Sequence, residues 1–188
     1  RRVLEARDHV STALALELDP DAIGEAAIEA IATSLGYSQV TLYTLEGDWL
    51  IMQHQRGWTQ VWPRIHVSQG VMGRAIRTRQ AQFVPRIADD PDYINPLPGG
   101  RSAIAAPVFD RGEPIGAVFL ETTDQDDPPE LGPLDASLIG AVAEQIGIAL
   151  GRARLYTEVE RDRDQNAQVM AALGQGLILF DASARAEY

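Results

Sequence analysis

Residues 101–121 read RSAIAAPVFDRGEPIGAVFLE, and this stretch decides the fold. Ser102 to Val108 and Ile115 to Glu121 are two runs of strand length, and Asp110-Arg111-Gly112 between them carries the turn chemistry of a hairpin. Both runs are apolar with little alternation, which predicts burial on both faces and a central place in a sheet. Pro107 donates no ladder bond and is expected at an edge or bulge; Gly116 marks a bulge or a close approach by a helix. Upstream, Val40, Leu42 and Tyr43 lead into the turn Glu46-Gly47-Asp48, and Trp49 to Met52 begin a return strand, which makes a second hairpin. Hairpins separated by helices predict an α+β fold, an antiparallel sheet flanked by helices, and not a parallel nucleotide-binding sheet.

Apolar residues at three- and four-residue spacing (Val3, Ala6, Val10, Ala13, Leu14, Leu18) predict a helix over 3–18. Pro20 opens a second helix that stops near Gly36, and Val71 to Arg79 form a third with Ser68 as its cap. Residues 85–101 and 122–131 read as exposed connections. A long helix starts near Pro133 or Leu134 and meets no breaker until Gly174, roughly 40 residues on and well beyond the usual length. After it, Gly176 to Asp181 is a short β-like run with too little chain behind it to bury it. The expected divisions are therefore an N-terminal helix (1–19), the sheet domain (20–150), a coiled-coil signalling helix (151–173) and a start of a further domain (174–188).

Composition removes much chemistry. The chain has 188 residues and no cysteine, and all 16 basic residues are arginine. Thiolate nucleophiles, cysteine-held zinc or iron–sulfur sites, lysine Schiff bases and the P-loop lysine are all excluded. A net charge of −11 argues against nucleic acid or acidic lipid as partners. The most apolar stretch is interrupted by Glu144 and Gln145, so no membrane contact is expected, and a cytoplasmic location follows. The first residue is Arg1, so the chain is expected to be a piece of a longer protein. No nucleophile elbow, His-Glu-x-x-His or glycine-rich phosphate loop is present, and Asp124 to Asp135 departs from a calcium loop at Pro129 and Asp135. The fragment is therefore expected to be no enzyme itself.

Four stretches in this order carry a family resemblance: Gly70 to Ala75 (GVMGRA), Val84 to Tyr93 (VPRIADDPDY), Arg101 to Val108 (RSAIAAPV) and Gly112 to Leu120 (GEPIGAVFL). Together with the helix after them, they resemble a GAF domain over roughly residues 20–150. Ala172 to Tyr188 resembles the opening strand and turn of a PAS domain. The resemblance implies a sensory module of a bacterial signalling protein, a sensor histidine kinase or a cyclic-dinucleotide synthase. It also implies a small molecule held between the sheet and the segment from the second hairpin strand to residue 101. Some GAF-like proteins reduce methionine sulfoxide or attach bilins, but through cysteines, which this chain lacks.

Within that segment, no Asp or Glu occurs between Trp49 and Ala88, while Arg56, Arg64, Arg74, Arg77, Arg79 and Arg86 do. Such a field suits an anionic ligand, a nucleotide or a carboxylate. The alternative is a solvated face whose arginines pair with Asp89, Asp90 and Asp92. Trp58 and Trp62, with Tyr93, suit an apolar wall, and core filling is the alternative. The expected ligand-binding residues are Trp58, Trp62, Arg86, Tyr93 and Arg101; no catalytic residue, metal ligand or cofactor is indicated. From Ile148 the long helix offers a heptad seam (Ile148, Arg152, Leu155, Val159, Asp162, Asn166, Val169, Leu173). A parallel homodimer through the terminal helices is expected to bury it, with Val3, Val10 and Leu14 joining as a bundle. A ligand-free dimerisation and transmission module is the competing reading.

Overall fold

Six strands form one antiparallel sheet: β1 (Gln39–Glu46), β2 (Trp49–Arg56), β3 (Arg64–His66), β4 (Gln82–Val84), β5 (Gly100–Asp110) and β6 (Glu113–Thr123). Their spatial order is β3-β2-β1-β6-β5-β4. Helix α1 (Pro20–Leu35) precedes the sheet, α2 (Gly70–Thr78) joins β3 to β4, a 3-10 turn covers Ile87–Asp89, and α3 (Pro133–Arg185) closes the chain. This computed structural model describes residues 8, 10–94, 99–126 and 131–185, without the side chains of Ser34 and 173–185. The fold is α+β, as the hairpins predict.

The hairpin of 101–121 lies in the sheet interior, β6 between β1 and β5. Residues Ile104, Val118 and Leu120 are wholly buried, which is why their runs show no polar alternation. Pro107 stands beyond Ala105, the last β5 residue on the β4 side of its register nearest the hairpin turn, so no β4 ladder bond is lost to it. Beside Gly116 the β5–β6 register slips between Val108 and Phe109. The close neighbour at Gly116 is a strand and not a helix: a Cβ there would overlap the carbonyl oxygen of Tyr43 on β1.

Each face has its own cover. Tyr43, Ala103, Ala105, Ala117 and Phe119 pack with Val71, Met72, Ala75 and Ile76 of α2 and with Val84 and Ile87. On the other face, α1 packs on β1 and β2. There a Cβ at Gly147 of α3 would overlap the carbonyl oxygen of Phe109. Helix α1 begins as expected, with Asp19 capping Asp21 N at 3.0 Å and Pro20 in the first turn, and ends at Gly36 with φ 76°. At α2 the cap expectation is corrected. Gln69 is the N-cap and makes no side-chain bond, because the Ser68 hydroxyl is engaged by Nδ1 of His66 at 2.8 Å.

Two further expectations about the termini change. In the N-terminal segment, residue 8 and residues 10–14 are helical. Val10 and Leu14 are already buried in the single chain, so they are not free to join a bundle; Val3 lies outside the described residues. At the other end α3 runs on through Gly174 and Gly176 to Arg185, so Gly176–Asp181 is helix and not the opening strand of a PAS domain. A helix satisfies its own backbone through these residues and tolerates each glycine at about 1 kcal/mol.

By contacts the chain divides into a unit Arg1–Arg152, which holds the sheet, and a unit Ala153–Tyr188, the continuation of α3. In the second unit Val159 and Met170 are 65% and 69% exposed. By length and composition alone, Pro133–Ala172 is apolar enough to cross a membrane, against the expectation from Glu144 and Gln145, with 44% of its most apolar window buried in the protein.

Candidate functional site

The site grows from the α2 face of the sheet. Side chains alternate along a strand, so Thr41 and Tyr43 of β1 and Phe119 of β6 point to this face together. Register places Thr41 opposite Phe119 and Tyr43 opposite Ala117. Ala105 lies across from Phe119 on β5, and its small side chain leaves room over the sheet. Above these strands pass the loop 58–62, the start of α2 and residues 93–94. Between them lies a cavity of about 60 Å³ lined by Thr41, Tyr43, Trp58, Gln60, Val61, Trp62, Ile65, Gly70, Val71, Met72, Tyr93, Ile94 and Phe119. At ~10–15 Å³ per water it holds several waters or a molecule of a few heavy atoms. An adjoining groove of about 560 Å³ shares Trp62, Ile65, Gly70, Tyr93 and Ile94 and adds Arg64, Ser68, Gln69, Pro91 and Asp92.

Several contacts fix this arrangement. The Tyr43 hydroxyl donates to the carbonyl of Trp62 at 2.8 Å and holds the loop down; burial pushes its pKa up to about 12. Trp58 and Tyr93 approach the Phe119 ring from two sides, with centroids 5.9 and 6.3 Å away. Gly70 has φ 71°, and a Cβ there would press on Ile94, so the chain turns into α2 against the cavity rim. Arg74 of α2 bonds Asp90 at 2.6 Å and Asp92 at 2.7 Å and so ties the segment carrying Tyr93 to the helix. The guanidinium hydrogen bond holds the Asp90 carboxyl below its ordinary value.

Of the five expected ligand-binding residues, the structure brings Trp58, Trp62 and Tyr93 to the cavity wall. Arg86 and Arg101 are placed elsewhere: Arg86 pairs with Asp89 at 2.9 Å and Arg101 with Asp124, all four side chains exposed. With Arg74 on Asp90 and Asp92, the arginine-rich stretch follows the solvated alternative. The acid-free window was legible, but the partners that neutralise it come from outside it, Glu29 on Arg56 from upstream and Asp90 and Asp92 on Arg74 from downstream.

A residue absent from the expected set anchors Tyr93 from behind the cavity wall. Glu121 is wholly buried on β6, two residues past Phe119 and so on the same face. Its Oε2 accepts from the Tyr93 hydroxyl, and burial pushes its pKa up to about 8. Among the described residues no group of His, Cys, Asp and Glu side chains suited to a metal ion is present.

A GAF domain family model matches residues 19–150. The chain belongs to the GAF domain family. No curated protein sequence matches it. Among solved structures it is similar to free methionine-R-sulfoxide reductase from Neisseria meningitidis in complex with its substrate, at TM-score 0.73 and 22% identity over 82% of this chain and 91% of that one. The GAF domain of a phosphoenolpyruvate-protein phosphotransferase from Coxiella burnetii aligns at TM-score 0.72 and 10% identity over 84% and 97%. A methyl-accepting chemotaxis protein, residues 122 to 287, aligns at 0.67 and 20% over 78% and 98%. At these identities the likeness is one of fold. It nevertheless corrects the expectation that this GAF fragment is no enzyme: the reductases are enzymes on the same fold, so a GAF architecture excludes no catalysis. A GAF domain is a regulatory, sensory type of module.

Proposed function

We propose that this GAF domain is the ligand-responsive module of a multidomain signal-transduction protein, a sensor histidine kinase or a cyclic-dinucleotide synthase, working in the cytoplasm. The observation that supports it is the aromatic-walled cavity over the sheet, where Trp58, Tyr93 and Phe119 surround a space with few polar groups. The arginines first expected to hold an anion lie outside that wall, so the proposed ligand is small and mainly apolar. The signal leaves through α3, and a parallel homodimer along its exposed apolar residues is the proposed carrier.

The competing reading, a ligand-free dimerisation and transmission module, draws support from the cavity's size. Pockets for drug-sized ligands hold ~300–1,000 Å³, and the inner cavity is well below that. A thermal-shift screen with small apolar compounds, nucleotides and carboxylates separates the two. A ligand that binds only the native state raises Tm, and its loss in Trp58→Ala assigns it to the cavity. A screen without any rise favours the ligand-free module.

A further inference from the structure

The inner cavity and the adjoining groove share a wall, and two aromatic residues stand in it: Trp62 and Tyr93 line both spaces. Each is held by one hydrogen bond. On the Trp62 side the bond runs from the Tyr43 hydroxyl to the Trp62 carbonyl at 2.8 Å, and with the Tyr43 pKa at about 12 it persists through the ordinary pH range. On the Tyr93 side the ring's own hydroxyl donates to Oε2 of Glu121, a group that titrates within that range.

What faces Glu121 decides what its ionisation does. On the cavity face its cross-strand neighbours are Gln39 of β1 and Ala103 of β5, neither of them charged. Two residues along β5 from Ala103, Arg101 is exposed and engaged by Asp124. On α2, Arg74 is held by Asp90 and Asp92, and Arg77 donates to the carbonyl of Val67. After β4, Arg86 is paired with Asp89. Past Glu121 on its own strand, Asp126 closes on Thr123 and adds only negative charge. The loop 58–62 carries no charged residue. Among the described residues, then, no cation is left to neutralise a Glu121 carboxylate, and its Oε1 has no hydrogen-bond partner. A wholly buried charge so placed is costly, and the relief open to it is water. Tyr93, which touches both the groove and Glu121, lies on the way in.

We propose that Tyr93 is a proton-controlled gate between the groove and the inner cavity: the uncharged Glu121 carboxyl holds it shut, and ionisation of that carboxyl turns the ring away and admits water. The Trp62 side stays closed over the same range, since its latch does not titrate there. The cavity is sealed from the groove at neutral and lower pH and open to it in alkaline medium. The gate governs entry whatever enters, so it goes beyond the reading of the cavity as a ligand site.

The test is acrylamide quenching of Trp58, which lines the inner cavity and not the groove. Trp49→Phe with Trp62→Phe in the whole chain leaves Trp58 as the single tryptophan, and the Tyr43 latch survives because it rests on the backbone carbonyl of residue 62. With a pKa of about 8, the ionised fraction of Glu121 goes from about a tenth at pH 7 to about nine tenths at pH 9, and the quenching constant is expected to at least double with it. Adding Glu121→Gln, uncharged throughout, keeps it at the low value at both pH values. Adding Tyr93→Phe, which removes the latching hydroxyl, gives the high value already at pH 7. A flat profile, or the same rise with Glu121→Gln, overturns the gate. Quenching that falls as pH rises overturns it too, because the Tyr93 hydroxyl then grips the carboxylate more tightly than the acid. A rise matched by loss of the far-ultraviolet circular dichroism is unfolding and overturns it as well. No ligand enters the test, so its failure leaves the ligand-site reading to the thermal-shift screen.

Discussion

The hydroxyl of Tyr93 donates to Oε2 of Glu121, and the other oxygen of that wholly buried carboxyl has no partner. The pair joins the segment after the 3-10 turn to the central strand of the sheet. It also places a titratable group where its charge is not stabilised. In the folded chain Glu121 keeps its proton up to about pH 8, whereas an ordinary glutamate releases it near 4.5. Between those values the native state binds one proton more than the unfolded state. Stability from this group is therefore full below pH 4.5 and falls as pH rises toward 8, by at most about 1.4 kcal/mol per pH unit. Urea denaturation of the wild type and Glu121→Gln at several pH values between 5 and 8 isolates the effect. The variant should gain relative stability with rising pH, and parallel curves would show that Glu121 is ionised in the fold.

Arg74 is the next lever. Its guanidinium is less than a quarter exposed and holds both Asp90 and Asp92, so Arg74→Ala leaves two half-buried carboxylates unpaired. A loss of about 1–3 kcal/mol is expected, with faster amide exchange at residues 90–94. Arg86→Ala and Arg101→Ala remove exposed pairs only and should change stability by less than ~1 kcal/mol. Chemical denaturation of the three variants gives the ranking. A large loss in Arg101→Ala would show a role that its exposed pair does not explain.

The glycines of α3 make opposite predictions on one helix. A Cβ at Gly147 would enter the space of the Phe109 carbonyl, while at Gly140 nothing lies within 4 Å. Gly140→Ala should therefore stabilise by about 0.5–1 kcal/mol through helix propensity. Gly147→Ala should destabilise by about 1–3 kcal/mol, because backbone on both sides must move. Thermal unfolding distinguishes them, and equal effects would mean that α3 does not lie on the β5 end.

How far the sequence carried these conclusions depended on whether each signal was local. The 101–121 hairpin was legible because its apolar runs and its Asp-Arg-Gly turn are local properties of strand and turn. Trp58, Trp62 and Tyr93 could be placed near the cavity because the resemblance to a GAF domain puts a ligand space between the sheet and the segment that carries them. Glu121 escaped because it closes an apolar run and reads as the strand's polar end. Only the β6 parity with Phe119 and the pairing with Gln39 reveal that it points inward. Arg86 and Arg101 lie off the cavity wall, since the sign of a side chain says nothing about a neutralising partner such as Asp124, 23 residues from Arg101. The strand reading at 176–181 rested on composition alone, which does not distinguish a short apolar strand from the helix that runs there.

Arg152 also left its expected role. The heptad spacing puts it in the seam, yet its Nη2 donates to the carbonyls of Leu14 at 2.5 Å and Glu17 at 3.0 Å. A cation on carbonyls at the end of the N-terminal helical segment caps it. Arg152→Ala should free that segment, with faster hydrogen exchange at residues 10–14 and a loss of about 1–3 kcal/mol. Arg152→Lys should recover part of that loss, since both carbonyls are reached from the single nitrogen Nη2 and an ammonium also carries donors for two acceptors. Unchanged exchange would mean that the burial of Val10 and Leu14 alone holds the segment.

With Arg152 engaged elsewhere, the proposed dimer seam begins at Leu155 and continues through Val159 to Val169, all exposed in the single chain. Asp162 and Asn166 interrupt it, and both are exposed. Polar residues at seam positions fix register and reduce stability, which leaves a weak, adjustable pairing. Replacing both, Asp162→Leu with Asn166→Leu, should bury about 1–2 kcal/mol of apolar surface per residue and tighten the dimer at least about tenfold. Sedimentation equilibrium over a concentration series reads this directly. The wild type should dissociate on dilution from tens of micromolar, and the double variant should remain dimeric at the same dilution. If both stay monomeric across the series, α3 does not pair with a second copy, and the proposed transmission through it falls.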